Sequence, residues 1–317
     1  MIKTKILFLI KLVIGDVTLI PFAYQVFSTV IQEGTFQKAA LKLNVTPSAV
    51  SHSITQLENE LGFPVFIRSR SGAELTPNGH VILPIIQEIL NSEARLEQEA
   101  ANINGLSAGS IRIGAFSSVC INWLPPIIQS FKKLYPNISI SVAQNGFNDI
   151  VQSVKNGTLD IGFVVLPVNE NLIVDTLIQD EIYCVAPKGF IPANQKSVTI
   201  EDMANQDFIL QPGDYDRDTK AALDYYGIQP NLIHFSIDDQ SIVAMVEAGL
   251  GLGILPELAL QKVTGDVAVY PFEHPFYRSI GLATSAVQAK APSTQRMLAQ
   301  IRHYIQTMYP EALLVRN

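Results

Sequence analysis

Positive charge is scarce in this chain of 317 residues: Lys and Arg total 22 against 29 Asp and Glu, a formal net charge of −7. The molecule as a whole therefore has no attraction for nucleic acid or anionic lipid, and any contact with a polyanion must be made by a local surface. Cysteine is scarcer still. Cys120 and Cys184 are too few and too far apart for a disulfide framework or a C-x-x-C metal site, which fits a reducing, cytoplasmic setting. Long apolar runs are missing as well: a membrane helix needs about 20 apolar residues, and the run Ile6–Ile10 is interrupted by Lys11. What remains is 48% hydrophobic and 16% charged residues, close to globular averages and far from disorder. At roughly 100–200 residues per domain, two or three domains with packed cores are expected.

Residues 1–15 are basic and then apolar, like the start of a signal peptide, yet no small-x-small cleavage site follows. A translation start nearer Leu19 is a third reading, and residues 1–18 are taken as an extension without a role in the fold. From there the pattern has three parts. Residues 19–77 read as three short helices and a turn-rich hairpin, with breaks at Gly34, Asn44–Pro47, Gly62–Pro64 and Ser71–Gly72. Residues 78–106 form a long linker helix on which Ile82, Ile86, Ile89, Leu96, Ala100 and Ile103 follow a 4-3 spacing; this suits either pairing with a second helix or packing on the helix's own domain. Residues 110–309 alternate β-branched runs with helical patterns, the signature of a parallel sheet with crossover helices, split into lobe I (about 110–177 and 277–309) and lobe II (about 178–276). Ligands in such open sheets bind beyond the carboxyl ends of the strands, so a cleft between lobes is the expected site.

The densest information lies in residues 35–62. Ala39, Ala40 and Leu43 give one helix a small apolar face, Asn44 and Val45 supply a tight turn, and Thr46 caps a second helix with Pro47 at its first position. On that second helix Val50, Ile54, Leu57 and Leu61 fall within one arc. The opposite arc holds Ser48, Ser51, His52, Thr55 and Asn59, short or planar hydrogen-bonding groups where a merely solvated helix would carry Lys and Glu. Short side chains allow a helix axis to lie deep in a major groove, where base edges display distinct donors and acceptors. Local charge helps little, because Lys38, Lys42, Arg68 and Arg70 face only Glu58 and Glu60 between residues 35 and 70. One copy would bind weakly, so useful affinity requires two or more copies on one DNA.

The window FSTVIQEGTFQKAALKLNVTPSAVSHSITQLENELGFPVFIRSRSGAELTPNGHVIL resembles the winged helix-turn-helix of LysR-type transcriptional regulators. It carries the F-x-x-V-x-x-x-G-[ST]-F-x-x-A-A-x-x-L opening, L-E-x-x-L-G, F-x-R and L-T-x-x-G. The stretches at 124–136 (L-P-x-I-I-x-x-F-x-x-x-Y-P), 159–162 (L-D-I-G) and 246–256 (V-E-A-G-L-G-L-G-I-L-P) are similar to the same family's effector-binding region. The resemblance spans about residues 19–309 and implies an α/β fold class: an N-terminal all-α winged helix-turn-helix, a linker and dimerisation helix, and a two-lobed effector domain like periplasmic binding proteins. It implies DNA recognition by Thr46, Pro47, Ser48, Ser51, His52 and Gln56, with Arg68 and Arg70 in the wing. Many members carry Gln where Pro47 stands, and Arg or Lys is frequent at His52. The implied partners are double-stranded DNA, a small-molecule effector, further copies of the chain and, for an activator, RNA polymerase. No membrane partner is implied.

For the effector, the candidates are Ser117 and Ser118 at a helix start suited to an anion, Gln144, Asn145 and Val165 at strand ends of lobe I, and Gln211 in lobe II. The two serines could equally cap their helix. An anionic effector is expected. Cys120 reads as a sensor thiol or as a small buried hydrophobe, and Asp238 and Asp239 read as helix caps. No catalytic, metal or cofactor site is expected. The five histidines show no ligand spacing, and Gly105–Gly109 fits G-x-S-x-G but precedes a strand, where the nucleophile elbow needs the reverse order. Gly249, Gly251 and Gly253 likewise open a strand, unlike a dinucleotide loop. The alternative function is a secreted or membrane-tethered solute-binding protein, which leaves the 35–62 pattern unexplained.

Overall fold

The computed structural model describes residues 22–69, 72–104, 108–204, 206–211, 217–228, 231–234 and 239–310. The extension 1–18, Arg70, Ser107 and Asp238 lie outside the described residues. The chain forms two compact units that meet in sequence between Ala94 and Arg95.

The first unit contains α1 (Phe22–Glu33), α2 (Phe36–Leu43), α3 (Pro47–Leu61) and the hairpin of β1 (Phe66–Ser69) and β2 (Gly72–Leu75). Helix α4 (Pro77–Ile103) begins here and runs on into the second unit. The local chemistry of the turns is explicit. Thr35 Oγ1 accepts from the Lys38 amide at 3.2 Å and Thr46 Oγ1 from the Ala49 amide at 3.2 Å, each answering one of the orphan donors of a helix start. Asn44 turns the chain between α2 and α3 with a left-handed φ of 54°, a conformation its short side chain tolerates. Val26, Phe27 and Val30 of α1 pack with Ala39 and Ala40 of α2, Val50, Ile54 and Leu57 of α3, and Val65 and Phe66 of the hairpin. Burial of one such aliphatic side chain contributes about 1.5–3 kcal/mol. Leu61, expected in the same arc, is only half-buried at the rim.

Two clamps tie the hairpin to this core. The Glu58 carboxylate accepts from the amides of Val65 and Phe66, at 2.9 and 3.3 Å. Thr76 Oγ1 donates to the Pro64 carbonyl at 2.9 Å and accepts from the Gly79 amide. A Cβ on Gly79 would stand 2.3 Å from the Val65 carbonyl oxygen, so this position admits no side chain. The 4-3 pattern of α4 divides in the structure: Ile86 is buried in the first unit's core, whereas Leu96 and Ile103 are 70% and 86% exposed. Val81 and Ile85 are exposed as well.

The second unit departs from the expected parallel sheets, for its described strands form one mixed sheet of eight. Strands β3 (Gly109–Ala115), β4 (Ile138–Gln144) and β5 (Ile161–Val165) are parallel and make the first half, with α5 (Ser117–Asn122), α6 (Leu124–Leu134) and α7 (Phe147–Lys155). Strand β6 (Ile173–Pro187) leads into the other half, which contains α8 (Ile200–Met203), β7 (Asp207–Leu210), α9 (Arg217–Tyr225), β8 (Asn231–His234), α10 (Asp239–Glu247), β9 (Leu252–Pro256) and α11 (Glu257–Leu260). Strand β10 (Val267–Thr284) leads back, so that β6 and β10 form a long antiparallel crossing, paired from Thr284↔Ile173 to Val267↔Pro187. The strand order is β4-β3-β5-β10-β6-β9-β7-β8. Sequence reading found only the segments 181–187 and 279–284 of the crossing strands. The cause is visible in β10, where Pro271 and Pro275 interrupt the alternation and the register shifts between Pro271 and Phe276. Helix α12 (Pro292–Met308) returns to the first half, burying Met297, Leu298, Ile301 and Ile305.

Asp160, in the L-D-I-G stretch, is a buried hub of that first half. Its carboxylate accepts from the Arg112 amide at 2.6 Å, from the Arg112 guanidinium, and from Gln288 Nε2. Gly251 is explained by close approach: a Cβ there would meet the Asp207 carbonyl at 2.5 Å, so this glycine serves packing of strand against strand.

Candidate nucleic-acid interface and ligand recess

Helix α3 turns Val50, Ile54 and Leu57 inward and leaves Thr46, Pro47, Ser48, His52, Thr55, Gln56 and Asn59 exposed. The polar groups anticipated for base contact thus share one outward surface, with two modifications. Gln56 Nε2 donates to Glu60 at 3.1 Å, so this amide is held along the helix. Ser51 is half-buried because Arg68, reaching across from β1, donates from Nη1 to its hydroxyl oxygen at 2.9 Å. The same guanidinium lies over the Phe36 ring, 4.5 Å from its centroid. Arg68 is therefore fixed between an aromatic plate on α2 and a hydroxyl on α3, and it presents its charge beside the exposed end of the helix. Sequence reasoning placed Arg68 in the wing but did not pair it, since seventeen residues separate it from Ser51.

In the second unit, a recess opens between the two halves of the sheet. One wall carries Phe116, Ser117, Ser118 and Phe147, the other Gln211, Asp239 and Ile242, and the crossing strands contribute Ile182 and Arg278. Ser117, Ser118 and Gln211 were anticipated there. Gln144, Asn145 and Val165 are not among the lining residues: Val165 is buried in the first half's core, and α7 brings Phe147 to the recess instead. The capping alternative for the two serines is not what the geometry displays, because Phe116 occupies the N-cap of α5 and no side chain caps it. Asp239 lies in the first turn of α10, where it accepts from Gln211 Nε2 at 2.8 Å.

Arg278 is the lining residue that sequence reading missed, being a lone cation within an apolar strand. Its partner Asp180 is nearly a hundred residues away in the chain, directly opposite it in the β6–β10 ladder. Arg278 Nε donates to Asp180 at 2.8 Å and Nη2 donates to Ser118 at 2.9 Å. The guanidinium also lies 5.0 Å from the centroid of the Phe116 ring. Asp180 in turn accepts from the Leu258 amide at the start of α11, so this ion pair links both crossing strands to helices of both halves. Burial pushes the Cys120 thiol up to about 11 and the Cys184 thiol up to about 12. Among the described residues no group of His, Cys, Asp and Glu could hold a metal ion, and no helix is long and apolar enough to cross a membrane.

The family model for the bacterial regulatory helix-turn-helix protein, lysR family, matches residues 23–80. The model for the LysR substrate binding domain matches residues 104–306. This chain belongs to the LysR family. The LysR-family chain is 32% identical over 281 residues to the "Probable HTH-type transcriptional regulator LrrA" of Synechococcus elongatus, covering 88% of this chain and 95% of that one. Among solved structures it resembles a full-length variant of OxyR from Pseudomonas aeruginosa, with a TM-score of 0.72 at 24% identity over 92% of this chain and 96% of that one. It also resembles CbnR, a LysR family regulator solved alone and with its target DNA; the complex gives a TM-score of 0.61 at 19% identity over 89% of this chain and 98% of CbnR. The LysR-family protein is accordingly a transcriptional regulator, with a helix-turn-helix unit for DNA and an α/β effector-binding domain; the solute-binding-protein reading is not favoured, since it leaves residues 23–80 without a role.

Proposed function

We propose that this LysR-family regulator reads its operator with Thr46, Pro47, Ser48, Ser51, His52 and Gln56, while Arg68 and Arg70 hold the DNA backbone. The division proposed is a DNA-binding module at 19–77, a linker and dimerisation helix at 78–106 and an effector domain at 110–309, in a cytoplasmic homo-oligomer. The exposed apolar residues of α4, Leu96 and Ile103 above all, favour association through that helix. An effector with an acidic group enters the recess against Arg278 and Ser117. It acts by differential binding: whichever arrangement of the two halves it prefers becomes populated, which changes how the copies assemble and so the spacing and bend of the bound DNA. An activator of this kind would also contact RNA polymerase.

The observation that carries the reading is the outward face of α3, polar and short-chained, with a fixed cation beside it. The experiment is a nuclease footprint on the DNA upstream of the gene itself at low salt, with wild type and His52→Ala. A protected site weakened by the substitution supports the reading. Absence of any site-specific protection overturns it.

A further inference from the structure

Helix α4 ends inside the second unit, and its last turns supply a group that another helix of that unit lacks. Helix α12 starts at Pro292 behind Ala291, and no side chain of its own caps it. Pro292 brings no N–H, so the Ser293 amide is the first orphan donor of this helix, and Ser293 is 2% exposed. Its acceptor comes from α4. Gln98 Oε1 receives the Ser293 amide at 3.3 Å and the Ser293 hydroxyl at 2.8 Å, across 195 positions of sequence. The same hydroxyl lies 3.0 Å from the carbonyl of Ser110 on β3. A backbone amide can only donate, so Gln98 is held with its oxygen toward α12. Gln98 is itself buried, and a Cβ on Gly109 would stand 2.8 Å from its Cγ, so the first residue of β3 lies flat against it. One turn further along α4, Asn102 Oδ1 accepts from Arg296 Nη2 at 3.1 Å, and that guanidinium lies 4.9 Å from the centroid of the Tyr135 ring. Helix α12 in turn is rooted in the core of the first half through Met297, Leu298, Ile301 and Ile305.

We infer that Gln98 is a positioning residue for regulation: by capping α12 it locks the end of α4 to the first half of the effector domain, so that this half and the linker helix turn as one body. The inference rests on the regulator reading above and says which half drives the linker. A Ser, Thr, Asp or Asn at position 291 would cap α12 locally. Ala291 leaves the acceptor to α4 instead, so the start of α12 is satisfied only while α4 is docked, and a buried amide is left unanswered when it is not. A rearrangement of the two halves therefore reaches α4 undiminished as long as Gln98 holds. Base recognition by α3 does not depend on this lock, whereas the geometry of the assembled operator complex does.

The test compares the full-length protein with Gln98→Met, which keeps length and volume without the acceptor, and with Gln98→Glu, whose carboxylate accepts at the same place and suits a helix N-terminus. Hydrogen exchange of the amides at the start of α12 should be about fivefold faster in Gln98→Met, the usual effect of a lost cap, and as slow as wild type in Gln98→Glu. On DNA from upstream of the gene, footprints and circularly permuted probes should give Gln98→Met a shortened protected stretch and a relaxed bend, both restored in Gln98→Glu. A merely structural role would lower the thermal midpoint and leave footprint and bend unaltered well below it. The inference falls if Gln98→Met keeps the wild-type exchange or the wild-type bend, or if Gln98→Glu restores neither. Should Gln98→Met fail to fold, the half-buried Asn102→Ala, which loses only the bond from Arg296, must relax the bend in the same direction, and an unchanged bend overturns the inference. Absence of any protection by wild type removes the regulator reading itself, and the exchange comparison then still decides whether Gln98 is the lock.

Discussion

Removing the charge of Arg68 tests whether the wing holds the phosphate backbone or merely props the recognition helix. The side chain is stacked on Phe36 and bonded to Ser51, so its conformational entropy is already lost before DNA arrives. Each phosphate neutralised contributes about 0.9 to the slope of log K against log salt, which is worth about 1.2 kcal/mol per copy near 0.1 M salt. Arg68→Gln should therefore weaken binding roughly eightfold for each copy on the operator, equally on specific and unrelated DNA, and flatten the salt slope by about 1 per copy. Ser51→Ala keeps the charge but loses the bond that aims it, at a cost of about 1 kcal/mol with the slope unchanged. On unrelated DNA, where no base is read, both substitutions act on one contact, so the double variant should be scarcely worse there than Arg68→Gln alone. Fluorescence anisotropy titrations at four or five salt concentrations supply every quantity. A salt slope that Arg68→Gln leaves unchanged, or additive losses in the double variant on unrelated DNA, would refute the reasoning.

Three other outcomes follow from the packing. Asp160→Ala removes the acceptor shared by the Arg112 side chain, the Arg112 amide and Gln288. It should destabilise the effector domain by about 3 kcal/mol, since the buried Gln288 amide and the Arg112 backbone N–H lose their acceptor; urea unfolding measures this, and a change below about 1 kcal/mol would contradict the hub role. Gly79→Ala forces a Cβ to within 2.3 Å of the Val65 carbonyl and should cost about 2 kcal/mol or more in the first unit, visible as a lower thermal midpoint together with weaker DNA binding. Burial holds the Cys120 thiol up to about 11, so thiolate and hence iodoacetamide labelling should rise only as pH climbs toward that value. Labelling with a midpoint near 8.5, the range of a free cysteine, would show the thiol to be open to water.

The recognition helix was legible in the sequence because every determinant is local: a capping Thr46, Pro47 at the first position and an apolar arc recurring every three to four residues. The motif positions were legible too, although their reasons were not. Glu58 and Gly79 stand in recurrent spacings, and only the fold reveals that one clamps two wing amides and the other lets a carbonyl pass. The crossing strands escaped for a physical reason. Their pairing partners lie far apart in sequence, and their alternation is broken by Pro271, Pro275 and charged residues such as Asp180 and Arg278 that are neutralised only by each other. A cleft between lobes was expected, but its lining comes from both halves and from the strands between them, so the helix start suggested Ser117 and Ser118 and strand ends suggested Gln211, while Arg278 and the aromatic walls were not reached.

The pairing of β5 with β10 has a bearing on how the chain is made. Val165 is hydrogen-bonded to a strand around Ile280, more than a hundred residues further along, so on the ribosome the first half of the sheet waits with an open edge. At about 5–20 residues per second the wait is on the order of ten seconds. During that interval nascent chains are exposed to edge-to-edge association, and chaperone demand should concentrate there, ending when the last strand and α12 emerge and close both halves in one event.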